Sequence, residues 1–272
     1  MGKKTLYSTM FRCEPGVRHR LSRWDPDATA GLDKQQAQEH FEKAIKRLQE
    51  LEFLLYAENK HSVLVVLQAM DAGGKDGTIR HVFGPLNPQS CRVTSFKTPT
   101  SVELSHDFLW RVHAVTPRLG EIAVFNRSHY EDVLIARVKN LVPKAVWSRR
   151  YQQINDFERL LVENGTHILK FFLHISKDEQ LRRLTKRLED PTRYWKVDPA
   201  DFEERTFWRD YEKAYEEAFT RCSTDAAPWY IIPANHKWFR NLAIARILIE
   251  TLEGLKMKFP APQYDVSKIK VK

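Results

Sequence analysis

Cysteine is scarce in this chain: three in 272 residues, Cys13, Cys91 and Cys222, far apart and without a CxxC pair. That excludes a disulfide framework and argues against a cysteine-based structural zinc site. Cys91, inside an apolar run, is expected as a small core residue rather than a nucleophile. Long apolar runs are missing too, and no stretch approaches the roughly 20 apolar residues that cross a bilayer. Residues 1–4 are basic with no apolar segment behind them, so no signal peptide is expected. Leu6 stands where a myristoylation signal after Gly2 needs Ser or Thr. These absences predict a cytoplasmic protein with no membrane partner. Internal repeats and low-complexity segments are absent as well.

What is present is an ordinary globular composition, 42% hydrophobic and 29% charged, in a length that suits one large domain or two small ones. The formal net charge is +9. That makes a polyanion a fitting partner, whether nucleic acid, nucleotides, inorganic phosphate chains or an acidic lipid surface. A plain solubility charge explains it equally well.

Residues 1–36, punctuated by Pro15, Gly16, Pro26 and Gly31, read as an extended arm. Ala37, Phe41, Ala44, Ile45, Leu48, Leu51 and Leu55 then recur at helical spacing, with Glu42, Lys43, Lys46 and Arg47 on the other face. From residue 62 onward, short apolar runs at 63–67, 91–96, 121–125, 167–174 and 229–232 alternate with helical segments. The helices are expected near 76–83, 102–112, 130–139, 144–164, 177–188, 201–221 and 237–255. Strands alternating with helices imply an α/β fold with a parallel sheet covered on both faces. Residues 259–272 read as a loosely held tail.

The segment Ala69-Met-Asp71-Ala72-Gly73-Gly74-Lys75-Asp76-Gly77-Thr78 follows the first apolar run and opens a helix. Set against the phosphate-loop pattern G-x-x-x-x-G-K-[ST], Gly74 and Lys75 match, Ala69 replaces the first Gly and Asp76 replaces Ser or Thr. Small residues let backbone N–H groups close around phosphate oxygens, and the helix start adds positive potential. Lys75 supplies a point charge for transferring phosphates. The lost hydroxyl is normally a magnesium ligand, so Thr78 or a carboxylate must replace it. Asp71, beside a bound phosphate, makes sense as a metal ligand or as an orienter of the acceptor. A glycine-rich turn with an exposed lysine is the plainer reading of the same residues.

A second cluster, Asn126-Arg127-Ser128-His129-Tyr130-Glu131-Asp132, follows a later strand, where open α/β sheets bind ligands. Asn126 stands where an acid usually holds metal, which moves that role to Asp71 or Glu131. Arg127 can neutralise charge on a transferred phosphoryl group. Packing against the sheet rim competes with catalysis for His129 and Tyr130. The third feature is the basic helix with Arg182, Arg183, Lys186 and Arg187, followed by Arg193 and Lys196. Arg183 with Arg187, and Arg182 with Lys186, share faces at i,i+4, and Ser176 with Glu179 reads as a capping box. A solvated face would explain the run; its place after the fourth strand favours a lid at about 177–215 that brings cations to phosphates.

Together these pieces resemble the polyphosphate kinase 2 family, over about residues 37–256 within a domain expected at 37–258, and most closely its subgroup accepting nucleoside mono- and diphosphates. Further family-like stretches include Lys97 in Ser-Phe-Lys-Thr-Pro-Thr and Arg111 in Leu-Trp-Arg. The resemblance implies a three-layer αβα sandwich with a P-loop kinase-like five-stranded parallel sheet and a helical lid. It implies reversible phosphoryl transfer from inorganic polyphosphate to AMP and ADP, with Mg2+ or Mn2+. Catalytic roles fall to Asp71, Lys75 and Arg127. Phosphate contacts fall to Ala72, Gly73, Gly74, Lys75, Asp76, Gly77, Thr78, Arg183, Lys186, Arg187, Arg193 and Lys196. Nucleotide contacts fall to Asp71, Lys97, Arg111, Asn126, Arg127, Tyr130 and Glu131, and metal ligation to Asp71 and Glu131. A homo-oligomer is expected, with apolar residues of the arm available for an interface. Two competing readings stand beside this one. An ATP-dependent nucleoside monophosphate kinase would share the loop, and a non-catalytic nucleic-acid binder would share the charge. The absent Ser/Thr disfavours the first, and the lack of any nucleic-acid-binding signature disfavours the second, so no nucleic-acid partner is expected.

Overall fold

The apolar runs form five strands: β1 (Ser62–Ala69), β2 (Cys91–Ser95), β3 (Ile122–Asn126), β4 (Thr166–His174) and β5 (Trp229–Pro233). The structure is a computed structural model that describes residues 6–269. The basic start, with Gly2, and residues 270–272 lie outside the described residues. Every pairing is parallel and the strand order is β2-β3-β1-β4-β5, with Val63 beside Ile122 of β3 and His167 of β4. The chain therefore leaves β1 for the far edge, returns through β3, and crosses to β4, opening a crevice at the carboxyl end of β1.

Helices cover both faces, which is why β1, β4 and β5 are almost wholly buried. Helices Lys34–Glu58 and Lys237–Gly254 pack together on one face. The first is fixed by a capping box at Asp33 and Gln36 and ends at Asn59, left-handed at φ 54°. The opposite face meets helices Lys144–Glu163 and Trp208–Cys222, through Lys170 on Glu158 and Phe172 on Tyr215 and Phe219. No helix among the described residues is long and apolar enough to cross a membrane.

The arm is tied down rather than free. Cys13 N–H donates to the Trp229 carbonyl at 2.8 Å and Ile231 N–H to the Phe11 carbonyl at 2.9 Å, so the arm pairs antiparallel along β5 and covers that sheet edge. Phe11, Cys13 and Leu21 are buried in the core, while Leu6, Met10 and Val17 stay exposed. Cys91 is only half-buried, because β2 is the other edge and lacks cover on one side.

Three expected helices are broken. The span 102–112 splits into Ser101–Leu104 and Trp110–His113, because the Asp107 side chain accepts the Leu109 N–H and turns the chain. The span 130–139 becomes a 3-10 turn, His129–Asp132, and helix Ile135–Val138, parted at Leu134 with ψ −87°. The span 201–221 changes to 3-10 geometry at Arg205–Phe207 between Ala200–Glu204 and Trp208–Cys222.

A charged cluster lies inside the core. The Lys170 ammonium donates to Glu158 Oε2 at 2.5 Å, Tyr130 Oη at 2.9 Å and the Cys222 carbonyl at 2.6 Å. The Tyr130 hydroxyl donates to Glu158 Oε1 at 2.9 Å, and a His129 ring nitrogen lies 3.3 Å from the same oxygen. Burial pushes the Glu158 carboxyl upward, but Lys170 and His129 outweigh it and hold it below 4.5. Its contribution to stability is therefore present above that value and lost as pH falls through the lower folded value. Lys170→Met strands the Glu158 charge and is expected to cost about 3–5 kcal/mol. Denaturant unfolding checks this, with the Lys170→Met/Glu158→Leu double variant recovering most of the loss.

Candidate active site

The loop after β1 takes its shape from contacts that demand small residues. A Cβ on Gly73 would stand 2.5 Å from the Ala69 Cβ and 2.8 Å from the Met70 carbonyl oxygen, so Ala at position 69 requires Gly at 73. Ala72 and Gly74 adopt left-handed backbone, at φ 58° and 105°. Gly73 N–H donates to the Met70 carbonyl and Thr78 N–H to that of Gly74, both at 3.0 Å. The helix Lys75–Thr78 starts there and runs into one π-helical turn, Ile79–Phe83. Thr78 is fully buried, and its hydroxyl has no hydrogen-bond partner among the described residues.

Charged groups converge on this loop from β3 and the lid. Register places Asn126 beside Leu67, at the top of β1. Arg127 follows with left-handed backbone at φ 62°, its N–H bonded to the Leu67 carbonyl at 3.1 Å. Such strain in a non-glycine residue persists where surrounding contacts fix it. Here it directs Nη2 to within 3.3 Å of Asp71 Oδ1. Asn126 Nδ2 donates to Asp76 Oδ1 at 3.1 Å, and Lys196 Nζ of the lid lies 3.5 Å from Asp76 Oδ2. Lys75 bends back, donating to the Ala69 carbonyl at 3.3 Å.

The electrostatics show how tightly these groups are coupled. Burial and the Arg127 charge depress the Lys75 ammonium, against Asp71, Glu131 and Asp76. Burial raises the Glu131 carboxyl against Arg127 and Lys75, with Asp71 adding to the rise. Asp76 feels the upward push of burial, but Asn126, Lys196 and Lys75 win and hold it low. Asp71, Lys75, Asp76, Asn126, Arg127, Glu131 and Lys196 thus form one group of alternating charge around the loop. Its hard oxygen donors suit a magnesium-type cation. No set of three or more His, Cys, Asp or Glu among the described residues forms a metal cage, so phosphate oxygens would have to complete the coordination.

Three expected contacts are corrected. Tyr130 is fully buried, its hydroxyl committed to Glu158 and Lys170, so it supports the Arg127 turn from beneath and cannot touch a nucleotide. Arg183 is buried with its donors already used. Nη1 reaches the Ala72 and Gly73 carbonyls at 3.0 Å, Nη2 those of Ala234 and Asn235, and Nε reaches Glu179. It clamps the loop instead of meeting the phosphate chain. Lys186 is exposed on the outer face of helix Lys177–Leu188, with Arg182 and Thr185, on the side away from Arg183.

The rest of the lid is held by ion pairs. The capping box is half-formed: Ser176 accepts the Glu179 N–H, but the Glu179 carboxylate goes to Arg182 and Arg183. Arg187 binds Asp201 Oδ2 at 2.8 Å, and Arg193 binds Asp190 at 2.7 Å. Lys97 and Arg111 sit together at the end of β2, where Arg111 donates to the Lys97 carbonyl at 3.0 Å and lies over the Phe96 ring. β2 is two strands from β1, roughly 10 Å away. Three residues at the loop escaped the sequence reading. Gln180 donates to the Asp71 carbonyl at 2.9 Å, and Lys237 and Arg240 add positive charge beside Arg183. Arg240 could have been noticed as a cation between Phe239 and the apolar residues 242–245 of its helix.

Comparison with known proteins adds an independent line. The family model for polyphosphate kinase 2 (PPK2) matches residues 31–260. A Meiothermus ruber protein named AMP/ADP-polyphosphate phosphotransferase is 56% identical over 95% of this chain and 98% of its own. A Rhodopseudomonas palustris ADP-polyphosphate phosphotransferase is 44% identical over 94% and 93%. The crystal structure of polyphosphate kinase 2 from Arthrobacter aurescens TC1 superposes with a TM-score of 0.94 at 42% identity, covering 97% of this chain and 94% of that one. A family model matching residues 31–260, together with relatives 56% and 44% identical over almost the whole chain, is enough to decide the matter: this chain belongs to the polyphosphate kinase 2 family.

Proposed function

We propose that this protein transfers phosphoryl groups between inorganic polyphosphate and nucleoside mono- and diphosphates, converting AMP to ADP and ADP to ATP reversibly. The observation that carries the reading is the grouping of Lys75, Arg127 and Lys196 about the carboxylates Asp71 and Asp76 at one loop. Phosphoryl transfer asks for alignment and charge neutralisation more than covalent chemistry. Lys75 and the loop amides hold the donor phosphates. Arg127, fixed by Asp71, stands where charge collects on the group in transit, and Asp71 orients the acceptor phosphate. Lys196 and Arg193 extend the cation track beyond the loop, as a chain donor requires. Asp71 and Glu131 would hold Mg2+ or Mn2+, which supplies charge neutralisation between the phosphates.

A donor–acceptor matrix tests the reading, with polyphosphate or ATP as donor and AMP, ADP, GMP or GDP as acceptor. Faster turnover from polyphosphate is expected in every productive row. Turnover from ATP alone would turn the assignment to an ATP-dependent nucleoside monophosphate kinase. Within the same scheme, Arg187→Ala frees the lid from Asp201 and so loosens the placement of Lys196. Turnover is expected to fall about tenfold, as gating losses do, or the polyphosphate requirement to rise, with circular dichroism unchanged. Unaltered kinetics would make this helix an ordinary solvated face.

A further inference from the structure

Helix Lys237–Gly254 is buried along most of its length, yet its first turn carries Arg240, 1% exposed. Nε and Nη2 of that side chain both go to Asn241 Oδ1, at 3.1 and 2.8 Å. Nη1 is buried with no partner among the described residues. It fills the volume that a Cβ at Gly74 would need, and Nη2 stands 3.3 Å from the Cβ position of Gly77. Arg240 is thus the floor of the phosphate loop.

Among the described residues its charge has no counterpart. Burial, followed by the like charge of Arg183, lowers the guanidinium to about 9, and no carboxylate contributes. Lys237 is depressed by burial and by Arg183, Arg240 and Arg193, opposed by Glu179, and Glu179 is already bonded to Arg182 and Arg183. A buried guanidinium without an anion is strongly unfavourable. The loop above it is where an anion would come. Gly74 and Gly77 leave the guanidinium only backbone between itself and that anion.

We propose that Arg240 is a positioning residue for the donor: its buried charge is neutralised by the condensed phosphate seated on the loop 73–78. The inference rests on the phosphotransferase reading and adds to it a cation behind the loop, distinct from the lid cations in front. It also gives the loop a built-in dependence on its ligand. Without phosphate the charge destabilises the fold; with phosphate it strengthens binding.

Thermal unfolding of the full-length protein with and without long-chain polyphosphate tests this, using wild type, Arg240→Met and Arg240→Gln. The second variant keeps polar atoms for Asn241 should the first fail to fold. Wild type is expected to gain Tm with polyphosphate. The variants are expected to match or exceed the wild-type Tm without ligand and to lose about half or more of the gain, since a charge-assisted contact is removed. Their KM for polyphosphate should rise about tenfold while KM for AMP stays within about twofold. A lower Tm with an undiminished polyphosphate gain would overturn the proposal and leave Arg240 a packing residue. No gain in wild type would instead contradict the phosphotransferase reading itself.

Discussion

Lys75→Ala is expected to lower kcat/KM for polyphosphate-driven ADP formation by about three orders of magnitude or more, the range seen when a charge-stabilising group is removed from a phosphoryl or oxyanion site. Three observations set that size. Lys75 opens the loop helix, its ammonium is bonded to the Ala69 carbonyl, and Asp71, Asp76 and Glu131 all act on it. No second cation among the described residues occupies the same place, because Arg127 approaches from β3 and Lys196 from the lid. The loop should survive the change. Its shape rests on Gly73 against Ala69 and on the Arg183 clamp, neither of which involves the lysine side chain. Circular dichroism unchanged beside lost turnover would fit this account. Turnover within about tenfold of wild type would mean that the charge needed at the transferring phosphate comes from elsewhere.

Asp71→Asn is the second large effect, with kcat expected to fall at least about a hundredfold. The substitution keeps the side-chain shape and removes its charge. Arg127 then loses the anion that holds Nη2 at 3.3 Å, and a hard oxygen ligand disappears. Gln180 grips the Asp71 backbone carbonyl, not its side chain, so the backbone stays where it is. The loss should therefore fall on kcat, with the KM for polyphosphate little changed, because the proposed donor contacts are Lys75, the loop amides and Arg240. Steady-state kinetics separates the two parameters. A rise in polyphosphate KM at constant kcat would place Asp71 on the donor side instead.

The strands were legible in the sequence because each is a short apolar run between helical patterns, and all five appear within two residues of expectation. The loop was legible as a tight strand-to-helix turn because small residues and Gly74-Lys75 follow a buried-type strand. Arg127 followed from the end of β3 once the sheet was parallel. What escaped depends on tertiary direction. Nothing local tells whether Tyr130 faces the rim or the core; the Lys170–Glu158 pair decides it. The i,i+4 pattern sorted the lid arginines into faces correctly, but which face meets the loop is set by how helix Lys177–Leu188 docks. Docking turned Arg183 into a clamp and left Lys186 outside. The break in 102–112 turned on a single side-chain bond, from the Leu109 N–H to Asp107. Two signals were readable: a lysine in the middle of β4, a strand buried on both faces, and an arginine next to Phe239 and the apolar residues 242–245 of its helix.

The central claim is that this loop holds a polyphosphate donor beside a nucleotide acceptor. Phosphorus NMR of the purified protein with Mg2+, long-chain polyphosphate and AMP tests it most directly. The account predicts ADP resonances first and ATP resonances after them, as the internal polyphosphate resonance shrinks relative to its end groups. No ADP or ATP above a control lacking the enzyme, under conditions where the protein is folded, would contradict it.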